Sequence, residues 1–474
     1  MRYLAMSLIA LLMCGLPASA GELLASLERS APMLSVSGTE VEDIGGGEIF
    51  RNVKIEIEGK KVDVRAEELR LTKAGGDIQA VLSGVRIENS RGQARAKSIT
   101  VTGSLLESVM SETSVGPMSG YAWVDEMEVS TGDEASDRLF VKQVSIEAGD
   151  PSRDSVMIST VVMETHSGER LELARLEARG LGSPVLSKAR AALGLGEQAM
   201  ARTGRLLVYG QRLVVFSADR KALLGVKEMN LLSVPGGRDG GVGTAGLGSL
   251  PRKAAAVVGA TRILAAGGQY QASLEGMFVP VEELAPAAAG HRLAEAGLPM
   301  VSGTLKADAM ISATGDVVAS VRVETDQLIG LTVEVRGSVD VVDEVRVNEI
   351  ADGASVTIAD YPVFMLSRLG VGYQDRGLNR VVEKMTGKSV PDTVRDLGNS
   401  YAALLPGGDA LMQHIIGPLA GWIGAAAEAG GASYASTNMA EPVSVVELGG
   451  LAALSPKTFL EKLGIEARAP GSNQ

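Results

Sequence analysis

Strict alternation is the feature that limits this chain most. Val53-Lys54-Ile55-Glu56-Ile57-Glu58 switches between apolar and polar at every residue. So do Val62-Asp63-Val64-Arg65-Ala66, Leu69-Arg70-Leu71, Val85-Arg86-Ile87 and Ala94-Arg95-Ala96. A period of two puts every apolar side chain of a segment on one side of an extended strand, and no helix satisfies it. Turn residues separate the runs: Glu58-Gly59-Lys60-Lys61, Ala74-Gly75-Gly76-Asp77 and Asn89-Ser90-Arg91-Gly92. Residues 35–102 therefore read as an antiparallel meander with one apolar and one wet face.

The alternation continues over 121–129, 139–146, 156–163, 171–178, 206–216 and 226–234. Ser183-Pro184 supplies an N-cap and a first helical residue, which predicts a helix near 184–202. The glycine-rich stretch 235–248 reads as a loop, followed by a short Ala-rich helix over 251–266. A second meander follows, in Leu305-Lys306-Ala307-Asp308-Ala309, 317–323, Leu331-Thr332-Val333-Glu334-Val335 and 339–347, with short helix pieces before it between 280 and 298.

After Asp360 the spacing becomes helical. Leu378, Val381, Val382 and Met385 share one face, and Gly387 stands where a helix C-terminus favours glycine. Val394, Leu397, Tyr401 and Leu404 repeat the pattern, as do Leu411, Ile415, Leu419 and Trp422. The stretch 441–448 reads as one late strand, and Ser455-Pro456 opens a last helix ending at Gly464. The expected fold is α+β and mainly β: antiparallel curled sheets, as a β-groove or sandwich, with a helical C-terminal part. Its divisions are a signal peptide (1–20), a first β-rich region (21–234), a glycine-rich loop and short helix (235–268), a second β meander (269–360) and a mainly helical region (361–474).

The first twenty residues set the compartment. Arg2 precedes a short apolar run, and Ala18-Ser19-Ala20 is a small-x-small cleavage site. That is the pattern of a bacterial secretory signal. It implies an exported protein, of the periplasm, with outer-membrane association or secretion as alternatives. The single cysteine, Cys14, lies inside the signal, so no disulfide, thiolate nucleophile or Cys-ligated metal is expected after cleavage. Met13 stands where a lipoprotein signal wants a small residue. With 45 basic and 57 acidic residues the net charge is −12, which disfavours nucleic acid and anionic surfaces. Aromatic residues make up 3% of the chain, so aliphatic side chains must fill its cores, which suits broad regular sheets.

The motifs that carry chemistry fall away one by one. Gly241-Val242-Gly243-Thr244-Ala245-Gly246 matches a dinucleotide fingerprint in letters, but Pro251 delays the helix and no acid follows at ribose distance. Thr386-Gly387-Lys388-Ser389 lacks the glycine a phosphate loop needs at 382, where Val382 stands. His166, His291 and His414 are far apart in sequence, without zinc spacing. No Gly-x-Ser-x-Gly elbow or Asp-rich calcium loop occurs. Acid pairs such as Glu67-Glu68, Asp125-Glu126, Asp133-Glu134 and Glu282-Glu283 could hide a glycosidase site, yet they fit solvated turns or strand edges better in a chain with two Trp. The expectation is no enzyme, no catalytic residue, no cofactor and no metal. The stretch 411–427 is too short and too broken by Gly417-Pro418 to span a membrane, so no transmembrane segment is expected after the signal.

The unit Val64-Arg65-Ala66-Glu67 … Val81-Leu82-Ser83-Gly84-Val85-Arg86-Ile87-Glu88 … Ala94-Arg95-Ala96-Lys97 resembles the strand–turn–strand repeat of the lipopolysaccharide-transport (OstA-like) and AsmA-like periplasmic families. The resemblance implies a curled sheet whose apolar concave face carries lipid chains. Tyr373-Gln374-Asp375-Arg376-Gly377-Leu378, with Pro442-Val443 further on, is similar to the C-terminal part of uncharacterised proteobacterial envelope proteins. The helical C-terminus departs from the transport family.

An apolar sheet face must be buried against a sheet, helices or a ligand. The lipid-facing candidates are Val53, Ile55, Ile57, Val62, Val64, Leu69 and Leu71 in the first meander, and Val333 and Val335 in the second. They are aliphatic and offer no polar handle, as an acyl groove or an ordinary core requires. The sequence thus predicts a non-enzymatic envelope protein that binds or passes a lipid or amphiphile. The alternative is a structural or assembly protein whose partner is another envelope protein.

Overall fold

The computed structural model describes residue 23 and residues 34–43, 47–57, 63–74, 76–89, 92–105, 119–131, 137–149, 154–183, 185–186, 205–235, 251–284, 287–312, 314–340, 344–403, 412, 417–428, 432–437 and 439–468. The expected signal peptide, most of the helix near 184–202, the glycine-rich loop after Pro235, His414 and the Asp133-Glu134 pair lie outside them. The chain divides between Ala222 and Leu223 into two compact units, each built on an antiparallel sheet.

The first unit is a ten-stranded meander: β1 (Leu34–Asp43), β2 (Gly47–Ile57), β3 (Asp63–Ala74), β4 (Asp77–Asn89), β5 (Gly92–Thr102), β6 (Gly120–Thr131), β7 (Arg138–Ala148), β8 (Ser155–Glu164), β9 (Arg170–Arg179) and β10 (Leu206–Phe216). Each strand pairs antiparallel with the next. Apolar residues stand directly opposite one another across the whole sheet. One row runs Val36, Ile55, Val64, Ile87, Ala94, Val129, Leu139, Met163, Leu171 and Val215. From β1 to β7 this face forms one core, joined by Leu23, Leu105 and Leu186 from outside the strands. Each aliphatic side chain buried there contributes about 1.5–3 kcal/mol.

The alternation slips once on every strand from β2 to β10, always at the same level. Two successive residues lie between inward neighbours at Arg51-Asn52, Glu67-Glu68, Ser83-Gly84, Lys97-Ser98, Asp125-Glu126, Lys142-Gln143, Ser159-Thr160, Ala174-Arg175 and Gln211-Arg212. On every second strand one of the pair is left-handed: Asn52 (φ 52°), Gly84 (61°), Glu126 (46°), Thr160 (48°) and Arg212 (51°). Both strands of each pair slip together, so the register is the same on either side of the break. Aligned across nine strands, the breaks form a crease along one line, and the apolar residues face the same side on both flanks of it. At Gly84 a Cβ would lie 2.5 Å from the Glu67 carboxyl carbon, so any other residue there is strained and must push that side chain aside. Two acid pairs expected on turns or edges thus sit mid-strand, on the crease. Lys97 answers Glu126 across it at 2.8 Å.

The second unit holds β11 (Ala222–Pro235), β12 (Gly268–Pro280), β13 (Met300–Ile311), β14 (Asp316–Thr325), β15 (Ile329–Asp340) and β16 (Val363–Asp375), again paired in sequence order. The far edge of β16 takes β17 (Ala432–Thr437) and β18 (Val443–Ser444), and β19 (Ile465–Arg468) pairs with β17. Its helices are α1 (Arg252–Ala266), α2 (Val281–Leu284), α3 (Ala287–Glu295), α4 (Glu344–Ala351), α5 (Leu378–Thr386), α6 (Val390–Ala402), α7 (Gly417–Glu428), α8 (Val445–Leu454) and α9 (Pro456–Leu463). Gly387 ends α5 in the left-handed conformation, its N–H donating to the Glu383 carbonyl at 2.8 Å.

Three expectations are corrected here. The run 339–347 is not a strand: β15 stops at Asp340 and α4 follows, because Val347 and Ile350 fall at helical spacing and pack on Val257 and Val258 of α1. The region after Asp360 is not mainly helical at its start: β16, thirteen residues long, completes the second sheet. The stretch 441–448 gives two strand residues, after which Ser444 caps α8, its hydroxyl accepting from the Val446 and Glu447 amides.

Candidate apolar binding face

Three rows of directly opposed residues cross β11–β16. Met229, Leu274, Leu305, Val323, Leu331 and Tyr373 form the first. Leu231, Ala272, Ala307, Val321, Val333 and Val371 form the second. Ser233, Tyr270, Ala309, Ala319, Val335 and Leu369 form the third. No residue in these rows is charged. The opposite face alternates with them and is wet, carrying for example Asn230, Ser273, Lys306, Arg322 and Thr332 in one row. Six strands at about 4.8 Å spacing make the apolar track about 24 Å across.

The face is covered at one end. Leu366 of β16 clusters with Val443 of β18, Leu448 of α8 and Leu463 of α9, and Val335, Leu369 and Phe459 pack against them. Helix α7 lies over the same end. Its Trp422 ring meets the Tyr373 ring with centroids 5.7 Å apart, and its Ala420 is fully buried. Away from this end the track is open: Leu231 is 42% exposed and Val321 41%.

Under the cover, polar groups are left over. The Tyr373 phenol, the Trp422 indole N–H and the Ser433 hydroxyl are buried and have no hydrogen-bond partner among the described residues. Tyr373 and Ser433 stand directly opposite each other on β16 and β17. Burial, with Asp375 nearby, pushes the Tyr373 phenol up to about 12. Tyr270, in the third row, differs: it donates to the Gly267 carbonyl at 3.2 Å, and burial raises its pKa.

The residues predicted from sequence divide between the units. Val53, Ile55, Val64, Leu69 and Leu71 are 0–3% exposed within the first core. Ile57 pairs with Leu34 at the end of β2, and Val62 lies outside the described residues. Val333 and Val335 lie half-buried in the second and third rows of the open track. The sequence reading missed Tyr373, Trp422 and Ser433 as a group. Their only advance signal was the local richness in aromatics of a chain that has few.

Other chemistry is not gathered. His166 lies in the turn between β8 and β9, and His291 sits beside Glu295 on the exposed side of α3. Among the described residues no cluster of three or more His, Cys, Asp or Glu could hold a metal ion, and no helix is long and apolar enough to cross a membrane. A shallow hollow of about 280 Å³ opens on the wet face between Gln269, Asp308, Met310, Ser320, Glu334 and Arg336.

Fold and face together define a class: a mainly β protein of antiparallel sheets, carrying an uncharged aliphatic track that its own C-terminal helices cover at one end. No family model, curated protein or solved structure matches the chain.

Proposed function

We propose that this is a non-enzymatic exported envelope protein that holds or passes a lipid or amphiphile, and that acyl chains lie on the track of the second sheet. The observation that supports this reading is the half-exposed, charge-free face of β11–β14, with Leu231 and Val321 open to solvent. A face meant for a protein would be expected to carry Trp, Tyr and Arg anchors. This one is Leu, Val, Ala and Met with Ser233 at its β11 edge, and its tyrosines are in β12 and β16. Each CH₂ removed from water contributes about 0.8 kcal/mol, so a long chain binds such a surface without a designed polar site. The buried face of the first unit serves as the scaffold's core. The resemblance of the first meander to lipopolysaccharide-transport and AsmA-like repeats points the same way.

Native mass spectrometry of the protein purified from cell envelopes tests it. The expected result is co-purifying lipid, lost in Val321→Asp and Val333→Asp variants whose far-UV spectrum is unchanged. A clean apo mass, with a stable protein partner in cross-linking, would replace the proposal with an assembly role.

A further inference from the structure

The track has a polar end, and its chemistry is specific. Tyr373 closes the first row, directly opposite Ser433, and its ring touches Trp422 of α7. Tyr373 is 7% exposed and Ser433 1%, and the phenol, the indole N–H and the serine hydroxyl all lack a partner among the described residues. A buried polar group without a hydrogen bond costs about 1–3 kcal/mol, and native proteins leave few of them. Three at one place, where an aliphatic row ends under a helix, are unlike the scattered orphans Arg170 and Thr261 elsewhere. The indole N–H can only donate, and the two hydroxyls can donate. The set therefore asks for an acceptor.

The acceptor is uncharged. A buried anion needs a counter-charge, and none of Tyr373, Trp422 and Ser433 carries one. A carboxylate or phosphate would stay unneutralised on these three donors. A carbonyl oxygen has two lone pairs, no charge, and continues directly into a hydrocarbon chain.

Resting on the reading that acyl chains lie on this track, we propose that Tyr373, Trp422 and Ser433 form a carbonyl-binding subsite, which selects acyl chains joined through an ester or amide over free fatty acids and alkyl ethers. The chain would run from this covered end along the first row toward Leu305 and Leu274.

The test uses the full chain with Trp123→Phe, so that Trp422 is the one reporter indole; Trp123 lies exposed in the first unit. Titration with monooleoylglycerol, with oleyl glyceryl ether and with oleate should shift Trp422 emission and give three affinities. The ester should bind about tenfold tighter than the ether, the size expected for one or two net hydrogen bonds, and tighter than oleate. Tyr373→Phe combined with Ser433→Ala should bring the ester down to the ether and leave the ether unchanged. Without ligand, Tyr373→Phe should unfold at the same or a higher urea concentration, because the oxygen it loses is unpartnered. Equal binding of ester and ether by the parent protein would overturn the subsite while leaving the track reading intact. So would oleate binding more tightly than the ester, or a preference that survives the double variant. A clear loss of stability in Tyr373→Phe would also overturn it, since the phenol would then be bonded within the fold. Failure of all three probes to bind would remove the track reading, and the subsite with it.

Discussion

The two sheets start from the same alternation and treat their apolar faces in opposite ways. In the first unit the inward residues of β2–β7 fall almost entirely below 9% exposure, and one core runs through them. In the second, the corresponding face is half-exposed through β11–β14 and its cores are small and peripheral. The breaks in pairing are distributed differently. In the first unit every ladder from β2 to β10 drops pairing at one level. In the second, pairing is interrupted from β11 to β13, beside left-handed Gly276, and again between β15 and β16, whereas β13, β14 and β15 pair continuously. A pattern of hydrophobic residues thus decides which side of a sheet is apolar. Whether that side is closed depends on where the pattern is broken, and on what the connecting segments bring to it.

The largest expected effect puts a charge on each face in turn. Leu71 is fully buried, so Leu71→Asp should abolish folding of the first unit, and Leu71→Ala should destabilise it by about 2–5 kcal/mol. Val321→Asp, at 41% exposure, should leave the second unit folded. Urea unfolding followed by far-UV circular dichroism separates the outcomes. Equal damage from both aspartates would mean that the second face is closed too, and the comparison would fail.

Next comes the crease itself. Deleting Glu67 removes the extra residue of β3 and turns Leu69 and Leu71 toward solvent, since a shift of one residue exchanges the faces of a strand. The deletion should cost several kcal/mol, against about 0.5 kcal/mol or less for Glu67→Ala on the exposed side. A smaller version of the same test sits at the left-handed positions. Gly84→Val should destabilise by roughly 1–3 kcal/mol, because it combines backbone strain with a clash against Glu67. Arg212→Gly, which relieves a left-handed arginine at φ 51°, should be neutral or stabilising by up to about 1 kcal/mol. If Gly84→Val were harmless, the crease would be an incidental feature of the strands.

How much of this was legible beforehand follows from the same physics. The strands of the first meander were, because Val53 to Ala96 alternate with turn residues at each reversal. The crease was present as well, in Ala66-Glu67-Glu68-Leu69 and Val124-Asp125-Glu126-Met127, but a doubled polar residue inside a strand looks locally like a turn, and only its recurrence at one level across neighbouring strands gives it meaning. Strand β16 was hidden for the opposite reason. Val363-Phe364-Met365-Leu366 is apolar at consecutive positions, so it has no period, and the helices after Gly377 coloured the reading of what precedes them. Val345 to Ile350 misled because Val-x-Val fits a strand until Ile350 supplies the helical interval. The Tyr373–Trp422–Ser433 group was not legible beyond a local richness in aromatics: its members are drawn together by one strand pairing and one helix packing, and neither leaves a mark on sequence spacing.

The smallest effect separates the units by what holds their periphery. Helix α4 is joined to the segment before β16 by one polar clamp: Arg346 Nε donates to Asp360 Oδ1 at 2.7 Å, Arg346 Nη2 donates to Oδ2 at 2.9 Å, and the Thr357 amide and hydroxyl donate to the same carboxylate. The arginine hydrogen bonds, and then the Thr357 amide, hold the Asp360 carboxyl far below its ordinary range. A carboxyl whose folded pKa is depressed adds stability above its unfolded value, near 4, and that stability is lost as pH falls toward the folded value. Between neutral pH and about 5 nothing should change. Below about 4 the α1–α4 pair should begin to open, while the first core, sealed by aliphatic contacts, holds. Hydrogen exchange followed by mass spectrometry, corrected for the intrinsic pH dependence, should show protection falling first in α4 and in the segment leading to β16. Asp360→Asn should show the same loss already at neutral pH and little further change on acidification. Protection lost first from β3 to β6 would reverse the order of the two units, and with it the claim that the first sheet is the closed one.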